Sequence, residues 1–186
     1  MENPACVAKI RRRLPMIEIR TVTHVAGLKG IEVTTFLLNP TDTEYQKWWK
    51  GTHLRLHPIK SSTGTGKAVY MDEYIGARRL RMTAIVIESI PGERITWQLK
   101  KIITLPAWLS LELEDDDEGV TITHAIRAGF AGVGRILDPI LRIYFSESFT
   151  RAMDEHVKTE FPKLRDLLHV GESAPAMRVT PRLTRR

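Results

Sequence analysis

Alternating apolar and polar residues run through much of the chain. In the first such segment, Met16–Val25, Ile17 and Ile19 alternate with charged neighbours. Because successive side chains of a strand point to opposite faces, this alternation predicts a strand with one buried face. The pattern recurs in closely spaced segments separated by turn residues, which predicts six further strands in an antiparallel meander. Their apolar positions span Leu54–Ile59, Val69–Ile75, Leu80–Ile90, Ile95–Leu99, Leu109–Leu113 and Val120–Ile126.

Three segments favour helix instead. A short helix is predicted over Gly30–Leu38, and Pro40 with an acidic first turn predicts a second that runs to Trp49 and is stopped by Gly51. The last ordered element is a long helix, roughly Ile136–Leu168, with Pro139 near its first turn or at a kink.

The predicted order is one strand, two short helices, six strands and a long C-terminal helix. This order indicates an α+β domain in which a curved, seven-stranded antiparallel sheet wraps around the long helix, because the apolar face of the sheet needs a cover. A sheet that grips a helix in this way leaves a cavity between them, which is a natural ligand site.

The composition narrows the class of protein. A chain of 186 residues suits one globular domain. The single cysteine, Cys6, excludes an internal disulfide and a Cys-rich zinc module. No apolar stretch reaches the roughly 18 residues of a membrane helix, and the start of the chain lacks the apolar run of a secretory signal. We therefore expect a cytoplasmic protein that does not insert into membranes.

The net charge of +6 is concentrated at the two ends of the chain. Residues 1–15 and 170–186 each carry four basic residues and one acidic residue, so the body between them is neutral. A neutral body lacks the basic face that nucleic-acid binding requires. We expect a basic N-terminal extension over 1–15, a ligand-binding domain over 16–169 and a disordered basic tail over 170–186.

Candidate chemistry lies on the long helix. His156 and Glu160 fall in the middle of its apolar face, among Phe145, Phe149, Met153, Leu164 and Leu167. Two ionisable groups on a buried face are costly unless something satisfies them. Because they are four residues apart, they can present two metal ligands side by side. From the residues alone, a simple ion pair at the cavity mouth is the commoner explanation for such a pair, and hydrogen bonds to a substrate are a further alternative.

Further polar groups of the sheet are predicted to face the interior. His53 and His57 are four residues apart in a strand, so both can point to one face. Glu73 shares its parity with the apolar residues Val69, Met71 and Ile75, and His124 also alternates with apolar neighbours. Each inward histidine could instead be a hydrogen-bonded core residue.

Two other motifs indicate only turns. Gly64-Thr65-Gly66-Lys67 lacks the first glycine of a phosphate-binding loop, and a strand follows it instead of a helix. The acidic run Asp115–Glu118 lacks the alternating ligands of a calcium loop, which favours a solvated hairpin tip.

Over about 16–169 the chain resembles the START/SRPBCC superfamily, whose helix-grip fold is also seen in the birch pollen allergen. The resemblance rests on the element order, on Tyr45-x-x-Trp48-Trp49 and on Phe161-Pro162-Lys163-Leu164 near the end of the long helix.

A narrower resemblance concerns Trp48-Trp49-x-Gly51-x-His53 together with His156-x-x-x-Glu160. These motifs are similar to those of the diacetylphloroglucinol hydrolase family, whose members bind zinc through two histidines and two glutamates and cleave a carbon–carbon bond between an aromatic ring and an acyl group. The resemblance implies a Zn²⁺ site with four ligands: His53, Glu73, His156 and Glu160.

On this basis the sequence predicts a zinc-dependent hydrolase that cleaves a C–C or ester bond of a small apolar or aromatic acyl compound. His57 and His124 are candidate proton carriers, because histidine titrates near neutrality. Tyr70 or Tyr74 could orient a phenolic ligand. The expected cavity lining is Trp97, Leu111, Ile122, Phe149 and Met153.

Two alternatives stay open. One is a non-enzymatic carrier of a hydrophobic small molecule or lipid, for which a buried Glu73 would be unnecessary. The other is a metal-free enzyme resembling polyketide cyclases, in which the same histidines act as acid and base.

Overall fold

The computed structural model describes residues 17–60, 64–101, 104–130 and 132–170. The expected extension over 1–15 and all but the first residue of the expected tail over 170–186 lie outside these ranges. The described residues form seven strands, β1 to β7: Ile17–Ala26, His53–Lys60, Ala68–Ile75, Arg78–Ile90, Arg94–Lys100, Thr104–Asp115 and Gly119–Ala128. The same ranges contain four α-helices, α1 to α4: Gly30–Leu38, Asp42–Trp48, Asp138–Tyr144 and Glu147–Leu168.

All seven strands form one antiparallel sheet in the order β1-β7-β6-β5-β4-β3-β2. Strands β2 to β7 follow one another as a meander, and β1 closes the far side by pairing with β7. The inward side chains of the strands and the apolar face of α4 build the core, which includes Ile95, Val120, Ile122 and Val157. The predicted α+β fold, with two short helices after the first strand and a long C-terminal helix, is confirmed.

The long helix is shorter than predicted. It begins at Glu147, because the Ser146 side chain accepts a hydrogen bond from the backbone N–H of Phe149 and caps the first turn. A 3₁₀ helix over Gly132–Leu137 and the separate helix α3 occupy the preceding residues. The prediction of one helix from Ile136 is therefore wrong, and Phe145 follows α3 instead of lying on α4.

Strand β2 contains an irregularity that the alternation pattern does not reveal. The pairing of β2 with β3 shifts between His53 and Arg55, so the inward positions after the shift change parity. His53 and Leu56 are buried, whereas His57 is half-exposed and hydrogen-bonded through Nδ1 to Asp42 Oδ1 at 2.9 Å. The prediction that His53 and His57 share one face is wrong for this reason.

The acidic hairpin between β6 and β7 holds the nearby backbone together. Asp116 accepts the backbone N–H groups of Glu118 and Gly119, which closes the turn. Asp115 accepts the N–H of Gly30 at 2.7 Å, at the first turn of α1. Gly30 tolerates no side chain, because a Cβ there would lie 2.2 Å from the carbonyl oxygen of Gly92. Within the described ranges, no helix is long and apolar enough to cross a membrane.

Candidate metal centre in the cavity

A cavity of about 310 Å³ lies between the concave face of the sheet and helices α3 and α4. Most of its lining is apolar. Four of the five side chains predicted to line it do so: Trp97, Leu111, Phe149 and Met153. The fifth, Ile122, is fully buried in the core and is absent from the described lining. The polar groups of the lining include Tyr45, Glu73, His124, His156 and Glu160.

Helix α4 contributes His156 and Glu160 from adjacent turns. Their side chains are 4% and 10% exposed, in a row of buried residues that includes Met153, Val157 and Leu164. Nε2 of His156 lies 3.3 Å from Oε2 of Glu160. The two groups are not aligned for a hydrogen bond, since this nitrogen has no hydrogen-bond partner among the described residues.

The turn between α2 and β2 positions His53 close to His156 and Glu160. The carbonyl of Trp49 accepts the N–H groups of Thr52 and His53 at 3.1 and 2.9 Å. This tight turn requires Gly51 in the left-handed region, with φ of +82°. As a result, the His53 ring is fully buried and lies flat against the Tyr45 ring, with 4.1 Å between ring centroids.

Glu73 enters from strand β3, directly opposite His53 in the register of β2 and β3. Its neighbours of equal parity, Met71 and Ile75, also line the cavity, as the alternation predicts. The adjacent Asp72 faces the other side of the sheet, where Arg79 binds both of its carboxylate oxygens at 2.8 Å. Tyr45 donates a short hydrogen bond to Oε2 of Glu73.

Three of the four predicted ligands, His53, Glu73 and His156, form one group that could hold a metal ion, and the fourth, Glu160, lies close to both histidines. One ligand atom each of His53, Glu73 and His156 can be chosen so that all three lie within 4.8 Å of one another. Nε2 of His53 is 3.9 Å from Oε2 of Glu73 and 3.6 Å from Oε2 of Glu160. Nε2 of His156 is 4.0 Å from the same Glu73 oxygen. The donor atoms of a tetrahedral zinc ion lie about 3.3–3.6 Å apart, so these separations suit one cation after small adjustments.

Buried histidine nitrogens without hydrogen-bond partners also support a metal ion at this position. Nδ1 and Nε2 of His53 and Nε2 of His156 are buried without a hydrogen-bond partner among the described residues. Buried polar atoms normally have partners, because desolvation without compensation is costly. A divalent cation would accept the lone pairs of both Nε2 atoms and neutralise the two carboxylates, since two neutral imidazoles and two carboxylates balance a charge of +2.

The pKa shifts of these groups reflect the close approach of two imidazoles and two carboxylates in a buried site. Burial would raise the pKa of Glu160, but the imidazoles of His156 and His53 outweigh burial and lower this pKa to about 2. Burial raises the pKa of Glu73, against the attraction of the same imidazoles. The pKa of His156 is raised, because the carboxylates of Glu160 and Glu73 outweigh its burial. Burial, reinforced by the Glu73 charge, raises the pKa of Tyr45 well above 10.0, so its hydroxyl stays protonated as a donor.

His124 lies in the cavity wall on β7, beside the converging groups. Its Nδ1 is buried without a hydrogen-bond partner among the described residues. Burial lowers the pKa of His124 to about 4, so the ring is neutral at pH 7. It can therefore exchange hydrogen bonds with a ligand, whereas His57 lies outside the cavity lining.

The two tyrosines expected to orient a ligand do not reach the cavity. Tyr70 and Tyr74 have the parity opposite to Glu73 and are absent from the described lining. Tyr70 contacts the ring of His57, and Tyr74 lies under the Arg79 guanidinium. This prediction is wrong, and the alternation that directs Glu73 inward already excludes both residues.

Two aromatic residues have roles that the sequence reasoning did not assign. Tyr45 is the tyrosine of the cavity that contacts Glu73, and Trp49 stacks on His156 with 4.8 Å between ring centroids. Both belong to the Tyr45-x-x-Trp48-Trp49 motif, which was the available signal. Trp48 links α2 to α4 by donating its indole N–H to the carbonyl of Glu160.

No family model and no curated protein matches the sequence. Solved structures do match the fold. Major latex-like protein 151 from Panax ginseng is 11% identical with a TM-score of 0.51, over 76% of this chain and 97% of that chain. A Nitrosomonas europaea protein is 14% identical with a TM-score of 0.51, over 84% and 96%. A Staphylococcus aureus protein of unknown function is 7% identical with a TM-score of 0.54, over 85% and 98%. The chain therefore has the helix-grip fold.

Proposed function

We propose that this protein is a zinc-dependent hydrolase that cleaves a small apolar or aromatic acyl compound in the helix-grip cavity. The proposed zinc ligands are His53, Glu73, His156 and Glu160. The observation that carries the proposal is the meeting of two imidazoles and two carboxylates, from opposite walls, at the end of an apolar cavity. A carrier of apolar ligands has no need for two buried carboxylates there.

The chemistry of the donor set supports zinc and hydrolysis. Mixed imidazole and carboxylate ligands suit zinc, which, when bound, polarises a carbonyl oxygen and lowers the pKa of water. Hydrolysis of an aryl ketone forms a C–O bond from water to the acyl carbon and breaks the acyl–aryl C–C bond. The acyl group leaves as a carboxylic acid, and the ring carbon takes a proton. Ester hydrolysis forms the same C–O bond but breaks the acyl–oxygen bond, and the departing oxygen takes the proton.

The remaining residues position these groups. Tyr45 donates a hydrogen bond to Glu73 and supports the His53 ring, so it orients two of the proposed ligands. Neutral His124 faces the substrate space and can hydrogen-bond a carbonyl or phenol group. Trp97 and Phe149 provide apolar surface for an aromatic ring, and the cavity of about 310 Å³ suits a small molecule.

The metal is tested first. The full chain, purified without chelator and then refilled with zinc, should contain close to one equivalent by elemental analysis. His53→Ala should abolish retention. His57→Ala is the matched control, since this histidine lies on the same strand but is bonded to Asp42 outside the cavity. A wild-type protein that retains no zinc after refilling would overturn the metal site.

The reaction is tested separately with acylated phenols and aryl esters, and products are identified by mass spectrometry. The zinc-loaded wild type should release a carboxylic acid and the deacylated aromatic product, whereas the His53→Ala variant should not. A zinc-loaded protein that cleaves none of these compounds would contradict the hydrolase proposal while leaving the metal site intact.

The second candidate is a carrier of a hydrophobic small molecule, which the largely apolar cavity favours. For a carrier, a fluorescent apolar probe should bind the wild type and the His53→Ala variant equally well, without turnover. Native mass spectrometry distinguishes the two candidates by showing either a bound metal or a co-purified apolar ligand.

A further inference from the structure

The cavity reaches an edge of the sheet at strand β4. On β3 its lining residues alternate, as Met71 and Glu73 do, because only the concave face of that strand contacts the cavity. On β4, by contrast, four consecutive residues, 79–82, line it, so both faces of the strand contact it. Within the described residues, β5 pairs with β4 only from Thr83 onward, just beyond these four. We call residues 79–82 together with Lys101 the cavity rim.

Lys101 lies on the concave side of the rim. It directly follows β5 and continues the parity of Trp97 and Leu99, and all three residues line the cavity. Lys101 is exposed, and it makes neither a hydrogen bond nor an ion pair with any other residue that the structure describes. A lysine ammonium group at this position is therefore available to an anion that enters the cavity.

The other charged side chains of the rim leave an excess of positive charge. Arg79 and Arg81 share one carboxylate, that of Asp72, on the outer face of the sheet. Arg79 binds both oxygens of Asp72 at 2.8 Å, whereas Nε of Arg81 lies 3.6 Å from Oδ2. The three basic side chains of the rim, with Lys101 included, thus contact a single carboxylate. The electrostatic potential of this arrangement attracts an anionic group.

The distance between the rim and the metal centre suits one small aromatic ligand. Glu73 on β3 pairs with Leu80 on β4, and Lys100 at the end of β5 pairs with Thr83 on β4. Lys101 is therefore two strand spacings across the sheet and two residues along it from Glu73, which is about 12 Å between backbones. The wall between them is apolar, since Leu80 lies there in the lining.

We propose that the cavity binds an aromatic compound that carries a carboxylate, and that Lys101 holds this carboxylate at the rim. An ammonium group and a carboxylate form a stronger hydrogen bond than two neutral groups do. The carboxylates of the described lining, Glu73 and Glu160, belong to the metal centre and leave Lys101 to the ligand. This inference rests on the proposed function and narrows its substrate, whose acyl group would lie at the metal centre and whose carboxylate would lie at Lys101.

Isothermal titration of the full chain with two ligands of similar shape tests the proposal. 2-Naphthoate carries a carboxylate, whereas 2-naphthalenemethanol is uncharged, and neither contains an ester or a ketone that the proposed reaction would cleave. The wild type should bind naphthoate about tenfold more tightly than the alcohol, because a hydrogen bond to a charged group is added. Added salt should reduce this difference. Lys101→Met keeps the apolar stem of the side chain, so it should weaken naphthoate binding by a similar factor and leave binding of the alcohol unchanged.

The matched control is Lys100→Met, because Lys100 is the exposed neighbouring residue and is absent from the described lining. It should keep the preference for naphthoate. Equal affinities of the wild type for the two ligands, absence of naphthoate binding, or an equal loss in Lys100→Met and Lys101→Met would overturn the proposal. Weaker binding of both ligands by Lys101→Met, to the same extent, would show a packing role alone and also overturn it.

The same titrations on zinc-loaded and chelator-treated wild type separate this proposal from the metal site. The preference for naphthoate should be present in both preparations. A preference seen only with zinc would show that the metal holds the carboxylate, and would overturn the role of Lys101. A wild type that prefers naphthoate but retains no zinc after refilling would contradict the proposed hydrolase and leave the assignment of Lys101 intact.

Discussion

His53 on β2 lies directly opposite Glu73 on β3, and Nε2 of the histidine is 3.9 Å from Oε2 of the glutamate. This cross-strand pair meets the His156 and Glu160 side chains of α4 on the other side of the cavity. Each pair is arranged locally, by strand pairing in one case and by the helical turn in the other. Their meeting depends on how α4 lies against the sheet, so variants of either pair report on the same site.

The first prediction concerns Glu160 on the helix. Glu160→Gln keeps the size of the side chain but removes a negative charge from the site, so zinc affinity should fall by more than about 100-fold. The increase in the thermal unfolding midpoint on adding zinc, expected for the wild type, should disappear. Glu155→Gln is the control, since Glu155 is exposed on the same helix. An unchanged zinc response in Glu160→Gln would show that this carboxylate is not a ligand.

The second prediction concerns Tyr45. Tyr45→Phe removes the hydroxyl that donates to Glu73, while the stacking on His53 is kept. Zinc affinity should fall about 10–100-fold, because a hydrogen bond that orients a ligand is lost. Without metal, the free energy of unfolding should fall by about 1–3 kcal/mol. Isothermal titration and urea unfolding measure the two effects.

Tyr70→Phe is the matched control, since Tyr70 lies on the outer face beside His57. It should leave zinc affinity unchanged. Equal zinc affinities for Tyr45→Phe and Tyr70→Phe would argue against the positioning role of Tyr45.

The third prediction distinguishes the effect of backbone strain on stability from the effect of the Gly51 turn on zinc binding. Gly51 and Gly64 have φ of +82° and +83°, and a Cβ at either position would meet no atom within 4 Å. Alanine at either position should therefore reduce the free energy of unfolding by about 1–2 kcal/mol. Only Gly51→Ala should also weaken zinc binding, because the Gly51 turn places His53. Equal effects of both variants on zinc affinity would contradict this assignment.

The fourth prediction is a pH dependence of stability away from the cavity. The hydrogen bonds from Arg79 hold the pKa of the Asp72 carboxyl below its ordinary value of 3.8. A pKa lowered on folding means that this stabilisation is complete well above pH 3.8 and is lost as the pH falls through the lowered folded value. At pH 7, Asp72→Asn should reduce the free energy of unfolding by about 1.5–3 kcal/mol.

Urea unfolding of the wild type and the Asp72→Asn variant at a series of pH values measures this dependence. The difference between the two proteins should shrink as the solution is acidified below the ordinary pKa of the carboxyl. Glu88→Gln is the control, because Glu88 and its partner Arg94 are both more than 40% exposed, where ion pairs contribute little. A difference that stays constant down to acid pH would contradict the Asp72 assignment.

Local covalent geometry explains what the sequence determined by itself. Strand alternation and turn residues predicted all seven strands and the two short helices, and the parity of β3 directed Glu73 inward. Helical spacing placed His156 and Glu160 side by side on the buried face. These features depend on neighbouring residues, which is why the sequence pattern contains them.

Long-range packing decided the rest. The register shift in β2 turned His57 outward. The separation of α3 from α4 is an exception, because the Ser146 cap is a local contact that the continuing apolar pattern conceals. The approach of Tyr45 to Glu73 and the meeting of His53 with Glu160 join residues 28 and 107 positions apart in the chain. Such contacts form only when the sheet curves around α4, because burial in the shared core selects one arrangement among those that the local patterns allow.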